Sequence, residues 1–503
     1  MTKDIAKTHK YWSRKPSNII ESYINLYSSC GEVVLDPFCG SGTTGIQALL
    51  NDRRFIGFDL NPIAIKICSS SFEFEFDRKI FTSEYEDLAL FIDNNIKNLY
   101  LVDNDKYVLY SKKLPNQDLM KVVYCNFDYE KISENITEFN IMYGLMNNDK
   151  FEIPDAFFPK KFYKDRFSYK GISKVSDLFS NRNLHALSLL RKYIYKSNYK
   201  YERIFELALT NTLLHVSKLK SEGIRPLGVN NYWIPDDFID ENVGWRYLDR
   251  LQEVAKSQQH LADLAKINGI DSFGKYKLFN QTCIPLAEID DQSVDYILTD
   301  PPYGDVIQYG ELSFVWNTWL SQQMSFDDEI IVNPKRDQNL DYFMQKLRLF
   351  LMECERVLKE DRFITISFQN KDLTVWFKFA EMASELNFSL ESVREFDFHG
   401  STYNKNWSLK SPKLDVYLTL KKIRNHDRNY QDMSFHEFYE ILNTDKDQPF
   451  SSRTEALNFI TQKGLSLIFR GYSLKAVTKK ELEVICNMLV TGSSIEDRQA
   501  TLF

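Results

Sequence analysis

The stretch VVLDPFCGSGTTG, Val33 to Gly45, constrains the fold of this chain more than any other. Four residues of strand character run into a turn with three glycines, and a helical pattern continues through IQALL (Ile46 to Leu50). RRFIGFDLNP (Arg53 to Pro62) then supplies a second short strand that ends in an acid. Strand, helix and strand in this order make one β-α-β unit, and two strands joined by a helical crossover lie parallel. The texture returns at VDYILTDPPYG (Val294 to Gly304), another strand running into a tight turn. An amphipathic helix follows in YFMQKLRLFLMECERVLKE, then a strand in DRFITISFQN, a helix in TVWFKFAEMASELNF and a last strand over Leu414–Lys422.

The residues between these two blocks differ in kind. From about Phe72 the chain turns to mixed polar and aromatic segments, in which FEFEF (Phe72 to Phe76) predicts a strand. SDLFSNRNLHALSLLRKYIYK and YERIFELALTNTLLHVSKLK carry apolar residues at three- and four-residue spacing and predict helices, with a further helix ending near Ala265. After about Arg424, FHEFYEILN and KKELEVICNMLV predict a small helical tail. The expected organisation is one doubly wound α/β sheet in two parts, residues 1–72 and 276–424. Residues 73–275 are inserted between them, and 425–503 form a helical C-terminal extension.

Composition narrows the class. Across 503 residues, 43% hydrophobic and 26% charged, this is an ordinary globular sequence with room for several domains. No apolar run reaches the roughly 18 residues of a membrane span, and the first residues lack the apolar core of a signal peptide. The seven cysteines are scattered and never in a CxxC pair, which predicts a reducing cytoplasm and no zinc ribbon; the seven histidines show no metal-ligand spacing. Net charge is −7, an average that hides a basic window. From Lys160 to Lys200 eleven Lys or Arg meet only Asp165 and Asp177, so this window is +9 and the remainder −16. Lys160, Lys161, Lys164, Arg166, Lys170 and Lys174 lead it, interleaved with aromatics such as Phe162, Tyr163, Phe167, Tyr193 and Tyr199. Cations neutralise phosphates and flat rings stack on bases, so the window is the expected nucleic-acid surface.

Gly40, Gly42 and Gly45 satisfy GxGxxG, and Asp59 ends the second strand as a ribose-binding acid would. That pattern fits a dinucleotide or S-adenosylmethionine. Asp36-Pro37-Phe38 ahead of the glycines favours the methyl donor, whose methionine end has a cationic amino group that NAD lacks. Ser41, Thr43 and Thr44 offer hydroxyls at a helix N-terminus, where a ligand carboxylate is favoured. In the second turn, Asp300 and the carbonyl of Pro301 provide two acceptors for one exocyclic amino group. Two such acceptors aim the nitrogen lone pair at the donor methyl, and Tyr303 offers a face on which an extruded base stacks.

With these residues in hand, the sequence resembles the amino-methylating (N6-adenine/N4-cytosine) site-specific DNA methyltransferases, through a DPFCGSGTT donor loop and a DPPY catalytic loop. THKYWSRKPSNII (Thr8 to Ile20) resembles the family's donor-side motif with a Lys-Pro pair, and RVLKEDRFITISF its later helix-strand motif without the usual glycines. The resemblance implies a Rossmann-like S-adenosylmethionine-dependent methyltransferase sheet with a large, mostly helical insertion that recognises the target, and a small helical C-terminal tail. It implies catalytic roles for Asp300, Pro301, Pro302 and Tyr303. It implies donor contacts from Lys15, Pro16, Asp36, Pro37, Phe38, Cys39, Gly40, Ser41, Gly42, Thr43, Thr44, Asp59, Leu60 and Asn61. Gln281 to Cys283 are placed near the donor adenine, and Gln369 and Asn370 at the pocket edge.

An acid in the catalytic loop is commoner in adenine-N6 enzymes and a serine in cytosine-N4 enzymes, so N6-adenine is the expected target. The partner implied is double-stranded DNA, with a possible separate restriction endonuclease, and a monomer or homodimer as the enzyme. Two other readings stand beside it. TDPPYG also resembles the catalytic loop of guanine-N2 tRNA methyltransferases, which usually carry an RNA-binding module ahead of the donor loop. A non-catalytic DNA-binding subunit is opposed by the intact Asp300, Tyr303 and Gly-rich loop.

Overall fold

Val33–Asp36 forms β1 and hands the chain through the Gly-rich turn to α2 (Thr43–Leu50), after an N-terminal helix α1 (Ser17–Tyr27). The computed structural model describes residues 9–103, 106–113, 120–125, 131–136, 153–159, 162, 171–223, 226–227, 232, 234–235, 237–272, 274–368, 372–397, 414–424, 430–446 and 449–492. β2 (Arg54–Phe58) and α3 (Pro62–Ser71) complete the first unit. After the insertion the chain rejoins the same sheet at β8 (Tyr276–Phe279) and β9 (Val294–Thr299), followed by α8 (Tyr309–Trp319) and α9 (Leu340–Val357). β10 (Leu358–Phe368), α10 (Leu373–Glu385), β11 (Phe388–Asp397) and β12 (Leu414–Lys422) finish it.

The seven strands lie in the order β11-β12-β10-β9-β1-β2-β8. β10, β9, β1, β2 and β8 are mutually parallel, and β12 runs antiparallel between β10 and β11. This is the expected Rossmann-like methyltransferase sheet. Every residue of β9 is buried, as a central strand covered on both faces requires. Val34, Tyr296 and Leu298 pack on one face with α1 and α2; Leu35, Ile297 and Ile364 pack on the other with α9 and α10. From β1 the chain proceeds outward to β2 and β8, then returns to β9 on the opposite side. The gap between the ends of β1 and β9 is therefore a topological switch point, where open α/β sheets hold ligands.

The insertion contains α5 (Asn181–Lys196), α6 (Glu202–His215) and α7 (Val243–Ile267), as its periodicity predicts, and an unforeseen helix α4 (Arg78–Asn95). It also contains an unforeseen antiparallel sheet of β3 (Leu101–Asp103), β4 (Lys106–Lys113), β5 (Met120–Cys125), β6 (Lys131–Ile136) and β7 (Ile239–Glu241). The strand expected at Phe72–Phe76 does not form. Phe72 and Phe74 are both buried, so the alternation there serves packing beneath the Gly-rich turn rather than sheet pairing. The tail is three helices, Phe435–Asp445, Arg453–Phe469 and Lys479–Thr491, built into the core against α10. No described helix is long and apolar enough to cross a membrane.

Of the three motif glycines, two answer to backbone and one to packing. Gly40 and Gly42 have φ of +49° and +82°, left-handed conformations that side chains disfavour. Gly45 sits inside α2, where an added Cβ would stand 2.3 Å from the Phe72 ring and 2.7 Å from that of Phe55. Ala ordinarily favours a helix over Gly by about 1 kcal/mol, but overpacking a tight core costs about 1–3 kcal/mol. Gly45→Ala is therefore expected to lower the thermal midpoint of the purified chain; a raised midpoint would contradict the packing.

Candidate active site

The three strand ends at the switch point each deliver an acid: Asp36 from β1, Asp59 just beyond β2 and Asp300 just beyond β9. Asp36 is buried. It accepts hydrogen bonds from the Thr299 hydroxyl at 2.7 Å and the Phe38 N–H at 3.1 Å, with Thr44 as a further donor. Burial lifts its carboxyl to about pKa 6 despite these donors. Asp59 accepts from the Gly40 and Asn61 N–H groups, both at 2.8 Å, so it pins the Gly-rich turn to the second strand. Burial raises this acid to about 6 as well.

These acids open onto one pocket. Its lining takes in Lys15, Asp36 to Ser41, Thr43, Thr44 and Asp59 to Asn61 from the expected donor contacts, and Asp300 with Pro302 from the catalytic loop. Gln281, Thr282 and Cys283 line it too. Pro16, Gly42, Pro301 and Tyr303 do not: Pro16 caps α1 and Gly42 caps α2. Asn61 is buried, and its side-chain amide bonds Ser313 at 2.7 Å and Asn317 at 3.0 Å, so it also anchors α8.

Tyr303 departs from its expected place. Its ring is 5% exposed and meets Phe368 edge-on, and its hydroxyl donates to Asp300 Oδ1. Lys15, expected at the donor, reaches the catalytic loop: its Nζ is 2.6 Å from the Tyr303 hydroxyl and 3.5 Å from Asp300 Oδ1.

Sequence reasoning missed the wall formed by Tyr11, Trp12, Tyr309, Met324, Asp328 and Ser367. Tyr11 and Trp12 lie within THKYWSRKP, where the Lys-Pro pair is the legible feature; the others have no local signal and arrive through the fold. The Trp12 indole N–H and the Ser367 hydroxyl are buried at this pocket without a hydrogen-bond partner, two polar groups that a ligand would satisfy. The segment carrying Met324 and Asp328 is clamped to α8 by a buried charge cluster. Arg336 pairs with Glu329 at 3.0 Å and with Glu311, Gly310 N–H donates to Glu329 at 2.8 Å, and Asn333 donates to Glu311 at 3.0 Å.

The basic window is described only in part. Lys160, Lys161, Lys164, Arg166 and Lys170 fall outside the described residues, as do Gln369 and Asn370. Lys174 pairs with Asp155 at 3.2 Å, Arg182 is a buried partner of Asp240, and Arg191 bonds the Trp319 carbonyl. Phe162 is in the insertion core; Tyr193 stacks on Phe91 at 3.8 Å, and both Tyr193 and Tyr199 donate to Asp87. Phe162, Tyr193 and Tyr199 thus have partners within the protein.

Comparison with known proteins reaches the first wall of the pocket directly. Residues 2–70 match the family described as DNA methylase. In these residues the chain is similar to the amino-methylating DNA methyltransferases. Over 76 residues it is 40% identical to the type II methyltransferase M2.DpnII of Streptococcus pneumoniae, covering 15% of this chain and 28% of that protein. It is 42% identical over 55 residues to the DNA adenine methyltransferase YhdJ of Escherichia coli strain K12, covering 11% and 19%. With the type II methyltransferase M.MjaII of Methanocaldococcus jannaschii it is 25% identical over 179 residues, 34% and 33%. The chain thus matches no more than 33% of the length of each of these relatives. The family match ends at residue 70, and the sheet topology brings Asp300 to it.

In this site, removing Arg336 would leave Glu311 and Glu329 buried without that cation. Breaking such a cluster costs about 3–5 kcal/mol. Arg336→Ala is expected to lose that much in urea denaturation, and a loss below about 1 kcal/mol would show that the clamp is not formed.

Proposed function

We propose that the chain is an adenine-N6 DNA methyltransferase that uses S-adenosylmethionine on a base rotated out of the duplex. The observation that carries this reading is the convergence of Asp300 with the Gly-rich turn at one pocket. The pocket's charge supports the donor. Five carboxylates line it, Asp36, Asp59, Asp300, Asp328 and Glu329, against the basic side chains of Lys15 and Arg14. An acid-rich cleft attracts a ligand that carries two cationic centres and disfavours a dinucleotide with its phosphates. Bound there, S-adenosylmethionine supplies an electrophilic methyl group on a cationic sulfur.

The residues then divide the work. Asp59 and the Gly-rich turn hold the ribose and the methionine end, with Asp36 beside the ammonium. Asp300 accepts a hydrogen bond from the N6 amino group of the target, and the Pro301 carbonyl accepts the second. Held in this way, the nitrogen lone pair points at the methyl carbon. The C–N bond forms as the C–S bond breaks, its electron pair staying on sulfur, and the alkylated nitrogen then loses a proton to solvent. Tyr303 must turn its ring outward to receive a stacked base, since it is packed against Phe368 here. The basic window of the insertion grips the duplex, and the setting is restriction-modification or phage defence with any endonuclease on a separate chain. Adenine over cytosine rests on the acid at position 300, and the name of the Escherichia coli relative agrees with it.

Asp300→Ala is expected to lower the rate of transfer to unmethylated DNA by about 100-fold or more while donor affinity, read by calorimetry, stays within about threefold. Near-normal turnover in that variant would contradict the mechanism.

A further inference from the structure

The environment of Lys15 points to a role beyond donor binding. Pro16, with φ of −62°, starts α1, and α1 packs against α2 and the sheet, so the backbone just after Lys15 is held in place. The Lys15 side chain is only 8% exposed. A buried ammonium requires an anionic or polar partner, and Lys15 meets two that touch each other: the Tyr303 hydroxyl at 2.6 Å and Asp300 Oδ1 at 3.5 Å. The Tyr303 hydroxyl in turn donates to the same Oδ1, and Nζ lies 5.2 Å from the centre of the Tyr303 ring. Ammonium, phenol and carboxylate thus close a triangle on one oxygen of Asp300.

The surroundings explain why Asp300 needs a cation of its own. Asp36, Asp59, Asp328 and Glu329 line the same pocket, and like charges favour protonation of one another. Glu329 has Arg336, while Asp36 and Asp59 stand at about pKa 6. From α8, Tyr309 also faces the pair: burial and Asp300 push its phenol up, Ser13 and Lys15 pull it down. A protonated Asp300 would present a donor where the target amino group needs an acceptor.

We infer that Lys15 is a positioning residue for Asp300, holding the carboxylate ionised and fixed by a direct ion pair and through the Tyr303 hydroxyl. The inference rests on the methyltransferase reading for its purpose, though the ion pair itself is testable without turnover. It also gives the hydroxyl of Tyr303 a task that a phenylalanine ring could not perform.

The test uses the full chain labelled with [13Cε]lysine, the Lys15 signal being assigned by its loss in Lys15→Arg. Asp300→Asn is expected to lower the Lys15 ammonium pKa by about one unit or more; an unchanged titration overturns the inference. In the transfer assay, Lys15→Met should move the acid limb of the kcat profile up by about one pH unit or more, and Lys15→Arg should restore it. Donor affinity should stay within about threefold in both variants. An unmoved acid limb with donor affinity down about tenfold would return Lys15 to the donor and overturn the inference. Wild-type protein that transfers no methyl to DNA would overturn the functional reading, and the lysine titration would still decide the ion pair.

Discussion

The hydrogen bond from Thr299 to Asp36 joins residues 263 positions apart at the centre of the molecule. It ties the last residue of β9 to the last residue of β1, on strands paired in parallel register through Val34–Tyr296 and Leu35–Ile297. Every feature of the site depends on that pairing. The Gly-rich turn leaves β1 one residue later, and Asp300 follows Thr299 directly, so the two loops open side by side at the switch point. Because β9 is buried along its whole length, a slip of one residue would turn Tyr296 and Leu298 to the wrong face of the sheet.

Around this joint the molecule concentrates negative charge and then manages it locally. Glu311 and Glu329 are answered by Arg336 in a cluster that clamps the 324–338 segment to α8. Asp59 is held by backbone N–H groups, and Asp36 by hydroxyls and an N–H. α8 is the common anchor. It receives Asn61 from the donor side, Arg191 and Tyr232 from the insertion, and Trp12 through its contact with Trp316.

Much of the fold is legible in the sequence because local pattern decides it. β1, β2, β9 and the later helices of the insertion, α5 to α7, follow from periodicity, and the paired acids and glycines from the chemistry that needs them. What is not legible is set by packing between distant segments. FEFEF alternates like a strand, yet Phe72 packs beneath the Gly-rich turn with Phe74 in the same cluster, while Phe76 packs against Tyr201 of the insertion. In the antiparallel sheet of the insertion, β3 and β6 are short strands in largely polar sequence, where alternation is weak. Lys15 lines the pocket beside the Gly-rich turn, but its contact with Tyr303, 288 residues away, has no local signal. The aromatic residues of the basic window show the converse: composition suggested bases, and the structure packs Phe162 and Tyr193 into protein.

The central claim is that one pocket brings a methyl donor to an exocyclic amino group of DNA. Its most direct test is incubation of the full chain with unmethylated DNA and S-adenosylmethionine carrying a labelled methyl group, followed by digestion to nucleosides and chromatography. The account predicts label in N6-methyladenine. Label in N4-methylcytosine would correct the base while keeping the chemistry, and label absent from DNA, or present only in added transfer RNA, would contradict the account.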